Sequence, residues 1–418
     1  MSTVLLPGLA LTDHTFTVPL DHTDPAGETI EIFAREAVDP ARRDHDLPWL
    51  LFLQGGPGGR SPRPTAADGW LGRALQTHRV LLLDQRGTGR STPVTTATLT
   101  AAPAETAARL RHHRADAIVA DAEHIRRTLI GDRPWETLGQ SYGGFITLTY
   151  LSQAPEGLEA CYITGGLPGL TATADDVYTR TYPRVRAKAD RYFTRYPADR
   201  ARLDAIADHL RDRRVLLPDG DELTVRRLQT LGTDLGTGDG PHRLHWLLED
   251  AWTGGELSDA FRYGVMNATG FTGNPLYAVM HESIYAQGAA TDWAAHRLLP
   301  QEFADTARPL LPTGEMIYPW MFDDIAALRP FKEAAHILAA AGDWPALYDP
   351  ARLAANRVPV AAAVYYDDMY VDERLSAGTA GAVGNLRTWV TNEWEHDGVR
   401  VSGGRVLARL MDMVAGHV

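Results

Sequence analysis

The sequence predicts an α/β fold: a mostly parallel central sheet flanked by helices, interrupted by a long helical insertion. Three observations predict it. Short continuous apolar runs alternate with helical patterns through the first third of the chain; strands covered on both faces read this way, and strand–helix alternation builds parallel sheets. Glycine-rich loops follow those apolar runs. After about Leu170 the pattern turns almost wholly helical, and strand-like runs return only at 358–365 and 386–391. Two domains in tandem would not explain why strands resume. The expected organisation is therefore a sheet domain formed by 1–170 and 350–418, with 171–349 as an inserted helical cap domain.

Taken in order, residues 15–20 and 29–38 alternate apolar and polar side chains and predict an antiparallel hairpin at a sheet edge. Residues 49–53 and 80–83 predict buried strands. The first runs into Gln54-Gly55-Gly56-Pro57-Gly58-Gly59, the second into Asp84-Gln85-Arg86-Gly87-Thr88-Gly89-Arg90-Ser91. Residues 115–130 place Ile118, Ala122, Ile125 and Leu129 on one helical face. A strand at 137–140, a helix at 145–153 and a strand at 160–164 follow, the last ending in Gly165-Gly166. Helical patterns then cover 175–196, 198–213, 223–231, 242–251, 258–266 and 276–285, and the glycine-rich stretch 232–240 reads as a flexible loop. An amphipathic helix at 404–413 follows the last strand.

Composition narrows the function classes. The 418 residues are 44% hydrophobic and 22% charged, values of an ordinary globular protein. Lys plus Arg is 41 against 53 Asp plus Glu, a net charge of −12 that repels phosphate backbones and anionic lipid, so no nucleic acid is expected as partner. The lone Cys161 has no partner for an intramolecular disulfide, and no Cys/His cluster has zinc-site spacing. Neither glycine loop carries a nucleotide-binding signature. No metal and no cofactor are expected. Residues 1–11 lack a basic start followed by an apolar core, and no apolar stretch is long enough to span a bilayer. The expectation is a cytoplasmic protein with no membrane partner.

The sharpest local signal is Gly139-Gln140-Ser141-Tyr142-Gly143-Gly144, a G-x-S-x-G run with a predicted strand before it and a predicted helix after it. A serine in that turn bends the chain so sharply that its neighbours two away have no room for a β-carbon. Its hydroxyl is held out at the C-terminal edge of the sheet, at the positive end of the following helix. The alternative is a passive serine in a glycine-rich turn. A nucleophilic serine needs a base, an orienting carboxylate and oxyanion donors. The amides of Gly56 and Tyr142 are the predicted donors, against the alternative of a simple turn enforced by Pro57. In this chain order the acid and the base follow the serine, on loops after late strands. Asp368 is the predicted carboxylate, with Asp367 and Asp372 sharing its loop. His396 is the predicted base, the histidine among 15 that lies in the loop after the last strand.

The three strings Leu53-Gln54-Gly55-Gly56-Pro57-Gly58, Asp84 to Ser91, and Gly139 to Gly144 resemble the proline iminopeptidase (prolyl aminopeptidase) family of α/β-hydrolase serine peptidases. The likeness is strong over 49–170, traceable over 358–400, and the full length resembles the longer bacterial branch. The family usually has His where this chain has Gln54. The Asp84–Ser91 run reads as a structural turn with Asp84 and Arg86 in internal pairs.

The resemblance implies an α/β-hydrolase fold and removal of an N-terminal residue, preferentially proline, from short peptides with a free N-terminus. A free α-amino group is mostly cationic at neutral pH, so a site for chain ends needs a buried or half-buried carboxylate. In similar enzymes these are glutamates of the cap. Glu282 is the first choice, from its apolar, aromatic helix; Glu249 and Glu315 are candidates for the second, with a surface or internally paired acid as the alternative for each. Phe271, Tyr277 and Tyr285 are candidates to wall a small pocket, or are plain core. A second hypothesis keeps the serine, histidine and aspartate but makes the chain an esterase or amidase acting on small uncharged substrates. A third makes it a ligand-binding module without turnover.

Overall fold

The computed structural model describes residues 3–99 and 102–418, so positions 1–2 of the segment screened for a leader lie outside the described residues. The strands are β1 (Thr3–Leu6), β2 (Leu9–Pro19), β3 (Thr29–Val38), β4 (Trp49–Leu53), β5 (Arg79–Leu83), β6 (Trp135–Gln140), β7 (Leu158–Thr164), β8 (Trp252–Thr253), β9 (Glu256–Leu257), β10 (Val360–Tyr365) and β11 (Leu386–Thr391). In the central strands, successive residues feed opposite apolar layers. Leu51, Leu53, Leu81, Leu83, Ile163, Ala362 and Val364 join one layer. Leu50, Phe52, Val80, Leu82, Tyr162, Ala361 and Ala363 join the other. Burial on both faces is why these strands read as continuous apolar runs.

Nine strands form one sheet in the order β1-β2-β3-β5-β4-β6-β7-β10-β11. From β5 through β11 every neighbouring pair is parallel. The expected edge hairpin is β2–β3, antiparallel with Thr15 opposite Phe33; β2 begins earlier than its alternation suggested, and β1 adds an outer strand. β10 and β11 lie beside β7, so strands from before and after the helical stretch share one sheet. The helical stretch between β7 and β10 contributes Tyr178, Tyr182, Phe261, Met280 and Phe322 to the layer on one face of that sheet. The helices Gly69–Leu75 and Arg405–Ala415 supply the other layer through Trp70, Leu71, Val406 and Leu410. No helix among the described residues is long and apolar enough to cross a membrane.

Two stretches depart from the expectations. Residues 276–285 split into a helix, Pro275–Met280, and a 3-10 turn, Glu282–Tyr285. The stretch 232–240, expected as a flexible loop, is instead ordered: a 3-10 helix covers Thr230–Gly236 and a helix starts at Gly240. Three of its four glycines are contact glycines. A β-carbon on Gly232 would overlap the Thr313 carbonyl, on Gly236 the Tyr370 ring, and on Gly240 the Asp234 carbonyl. The Asp84–Ser91 turn is internally paired, as expected. Asp84 accepts from the Ser61 amide at 3.0 Å and the Arg90 amide at 2.9 Å, while Arg86 binds Asp121 at 2.8 and 2.6 Å.

Contact glycines and idle glycines respond oppositely to a methyl group. Gly236→Ala pushes into Tyr370 and should cost about 1–3 kcal/mol by overpacking. Gly378, inside the helix Glu373–Ala382, has no atom within 4 Å of the point where a β-carbon would stand, and Gly378→Ala should gain about 0.5–1 kcal/mol. Urea unfolding reads both; a stabilised Gly236→Ala variant would contradict the packing described for this segment.

Candidate active site

The site grows from the ends of β6, β7, β10 and β11. Ser141 follows β6 with φ 55 and ψ −123, a strained left-handed conformation. The turn is tolerated because Gly139 and Gly143 leave it room: a β-carbon on Gly139 would overlap the Gly143 carbonyl, and one on Gly143 the Leu53 carbonyl. The Ser141 amide donates to the Thr164 carbonyl at 2.9 Å, and the Ser141 carbonyl accepts from Gly144 at 2.8 Å. Tyr142 opens the helix Tyr142–Gln153, where a first-turn amide has no helical carbonyl to bond. The glycine loop after β4 lies against the serine. A β-carbon on Gly55 would stand 2.9 Å from the Ser141 β-carbon, which brings the neighbouring Gly56 to the same edge of the sheet.

His396 and Asp368 meet. The imidazole Nδ1 lies 2.6 Å from Asp368 Oδ2, and both residues are buried. Asp368 is fixed from its other oxygen, which accepts the amides of Tyr370 at 2.8 Å and Val371 at 3.1 Å. His396 donates its own amide to the Gly236 carbonyl at 3.2 Å. Of the three aspartates the sequence leaves open, Asp368 is the one that contacts the histidine; Asp367 and Asp372 face arginines. The Gly165-Gly166 pair after β7 lies between His396 and Ser141. A β-carbon on Gly165 would stand 3.0 Å from His396 Nδ1, and one on Gly166 would overlap the Ser141 carbonyl. Consecutive α-carbons are only about 3.8 Å apart, so serine and histidine flank one short segment.

Burial opposes a charged imidazole at His396, but the charge of Asp368 and its hydrogen bond outweigh that effect, with Glu315 adding to them. The pKa of His396 therefore stands above its ordinary value.

The candidate acids separate into three environments. Glu315 is pushed up to about 7, chiefly by burial and also by the charge of Asp368, against the Tyr277 hydroxyl that donates to it and the nearby His396. Glu282 is also pushed up to about 7 by burial, but its oxygens accept the amides of Ala295 at 2.9 Å and Ala294 at 3.1 Å. Glu249 is the exception to the expectation of a buried acid. It lies exposed on its helix, 3.6 Å from Arg202 and 3.8 Å from His245, so solvent and the Arg202 guanidinium already satisfy its charge. Tyr285 is the shared neighbour: burial first, then the charges of Glu315 and Glu282, push its hydroxyl far above the ordinary range. Its ring lies 6.0 Å from Phe145 and 6.3 Å from Tyr178. Phe271 stacks on Tyr277 at 6.1 Å. Gly58 of the first glycine loop abuts Asn274 and Leu276, joining that loop to the Pro275–Met280 helix.

Sequence reasoning missed Tyr370, whose ring centroid is 4.7 Å from that of His396 and whose hydroxyl donates to the Thr233 carbonyl at 2.5 Å. Its position two residues after Asp368 was visible; the folding of 230–236 onto it was not. Among the described residues, no group of three or more His, Cys, Asp or Glu side chains is arranged to hold a metal.

Comparison with known proteins adds four findings. Residues 48–253 match the alpha/beta hydrolase fold family. A proline iminopeptidase of Aeromonas sobria is 49% identical over 412 residues, covering 97% of each chain. One from Aspergillus aculeatus is 35% identical over 418 residues, covering 94% of this chain and 91% of the relative. A solved proline iminopeptidase structure from Mycobacterium smegmatis aligns with a TM-score of 0.46 at 16% identity, over 97% of this chain and 98% of that one.

The environment of Glu315 has a measurable consequence. Its folded value of about 7 exceeds the ordinary 4.5, so the fold favours the protonated form. That contribution is complete below about pH 4.5 and is lost as pH rises through about 7. Glu315→Gln keeps an acceptor for Tyr277 and removes the ionisation. At about pH 8 this variant should be more stable than the parent by about 1–3 kcal/mol, with the difference vanishing towards about pH 4.5. Thermal unfolding across that range checks it; a variant less stable at the alkaline end would contradict the assignment of a strained, enclosed carboxylate.

Proposed function

This chain belongs to the proline iminopeptidase family of α/β-hydrolases, and on that premise we propose that it is a serine aminopeptidase releasing N-terminal residues, preferentially proline, from short peptides. The observation that carries the reading is the enclosed Glu315 carboxylate beside the His396–Asp368 pair, with the Tyr277 hydroxyl as its hydrogen-bond donor. A peptide's terminal ammonium supplies the cation such a carboxylate lacks. Binding there restores the charged form of Glu315 and sets the first residue at a fixed distance from the serine.

In this proposal residues 171–349 act as a cap over the sheet domain formed by 1–170 and 350–418. Ser141 Oγ attacks the carbonyl of the first residue while the unprotonated Nε2 of His396 takes its proton. Asp368 holds the Nδ1 proton and balances the imidazolium that forms, in keeping with the 2.6 Å contact. The amides of Gly56 and Tyr142 donate to the oxyanion. Collapse of the tetrahedral intermediate breaks the peptide bond, with His396 returning the proton to the leaving amine. Water, deprotonated by the same imidazole, then cleaves the ester on Ser141 and frees the amino acid.

Glu282 is assigned a supporting role, because two backbone amides already occupy its oxygens; it reinforces the negative field at Tyr285. Tyr285, Tyr277 and Phe271 wall the pocket for the first side chain. Glu249 is left out of the site.

Two variants test the proposal. Ser141→Ala should reduce prolyl arylamide hydrolysis by at least about ten-thousandfold with an unchanged unfolding midpoint; retained activity ends the nucleophile assignment. Glu315→Gln should lower kcat/KM for the free-amine arylamide by about a hundredfold or more, and that for an uncharged small ester by less than about threefold. Equal losses on both substrates would favour the esterase alternative.

A further inference from the structure

Beyond the residues that meet substrate, one helix of the insertion contacts both loops that carry the acid and the base. The helix Ala174–Arg195 presents three cations at positions 184, 188 and 191, a spacing that puts them on one face. Arg184 donates to Asp372 Oδ2 at 3.1 Å and to the Tyr366 carbonyl at 2.9 Å. Arg191 holds Asp367 with two bonds, at 2.9 and 2.8 Å. These contacts grip the loop after β10 on either side of Asp368. Lys188, buried with a side chain only 6% exposed, pairs with Glu395, the residue preceding His396 on the loop after β11.

We propose that Lys188 is a positioning residue for the base: through Glu395 it ties the His396 loop to the helix whose Arg184 and Arg191 hold the Asp368 loop. The inference rests on the reading of His396 as the general base. One rigid helix thus sets the relative position of two loops that the sheet alone leaves free beyond Tyr365 and Thr391. From the opposite side the Gly236 carbonyl accepts the His396 amide at 3.2 Å, and Asp397 accepts the Gly238 amide at 3.1 Å. The base is gripped between two parts of the insertion.

Charge supports the same role. Asp368 and Glu315 act on the imidazole, with Arg400 opposing them, and Asp368 and Asp367 act in turn on Glu395, the residue before it. Burial pushes the Glu395 carboxyl up, and Asp368 and Asp367 add to that, against the pull of Lys188. Lys188 is the cation that lets a further carboxylate sit beside His396 without displacing the loop. Arg186, two residues earlier on the same helix, faces Asp190 and Glu302 in exposed pairs and does not touch either loop.

The test uses the full chain. Lys188→Met should lower kcat on a prolyl arylamide by about ten- to a hundredfold, the scale of a misplaced catalytic group, with KM changed by less than about twofold. Labelling of Ser141 by a small fluorophosphonate, which needs the base but not the amine site, should slow by the same factor. Lys188→Arg should restore most of both rates, and Arg186→Ala should leave them unchanged. The double variant Lys188→Met with Glu395→Gln removes both charges, so no unpaired carboxylate remains to unsettle the fold. Its unfolding midpoint should return towards that of the parent while kcat stays low. Recovery of kcat together with stability in the double variant, or full kcat in Lys188→Met, overturns the proposal. A parent enzyme that neither labels nor turns over would instead remove the reading of His396 beneath it.

Discussion

The hydrogen bond of 2.6 Å between His396 and Asp368 joins two loops that begin on adjacent parallel strands. β10 and β11 pair in register from Val360 opposite Leu386 to Tyr365 opposite Thr391. That pairing brings the strand ends together but does not specify the loops beyond them. The remaining order comes from contacts across the fold: the Tyr370 and Val371 amides on Asp368, and the Gly236 carbonyl on the His396 amide. Ser141 is held independently, by the glycine-lined turn after β6 and by the Thr164 carbonyl at the end of β7. In the proposed mechanism, an imidazole kept in one orientation by a buried carboxylate turns a strained serine into a usable nucleophile.

In the proposed function, the negative charge around Glu315 is the source of a preference for free chain ends. Enclosing Glu315 near Asp368 raises the cost of ionising it, and His396 with one phenolic donor only partly offsets that cost. A carboxylate in such a place favours an incoming cation far more than an exposed acid does. Glu249 illustrates the contrast: solvent and Arg202 already satisfy it. An uncharged ligand at the proposed amine site would leave Glu315 protonated or unpaired and take no advantage of it.

Much of the sheet and the turn at Ser141 was legible because steric rules act over a few residues. Gly139 and Gly143 announce that no β-carbon fits near Ser141, and doubly buried strands reveal themselves as unbroken apolar runs. Long-range choices were not legible. Asp367, Asp368 and Asp372 look alike within six residues of chain; they differ because Asp367 meets Arg191, 176 residues earlier, and Asp372 meets Arg184, 188 residues earlier. Glu249 and Glu315 carry the same side chain, and only the packing around them half-buries Glu315 and exposes Glu249. Glycine richness at 232–240 suggested freedom, whereas those glycines permit close approach to Thr313 and Tyr370. The helix Glu373–Ala382, which links β10 to β11, is hard to read from sequence because its glycines and small residues blur the helical period.

In the proposed function a half-buried carboxylate makes this hydrolase read a free amino terminus. The most direct measurement is kcat/KM for prolyl arylamide against its N-acetylated analogue at about neutral pH. A preference for the free amine of at least about a hundredfold is expected, the scale of leaving a desolvated charge unpaired. Comparable rates on the free and blocked substrates would contradict it.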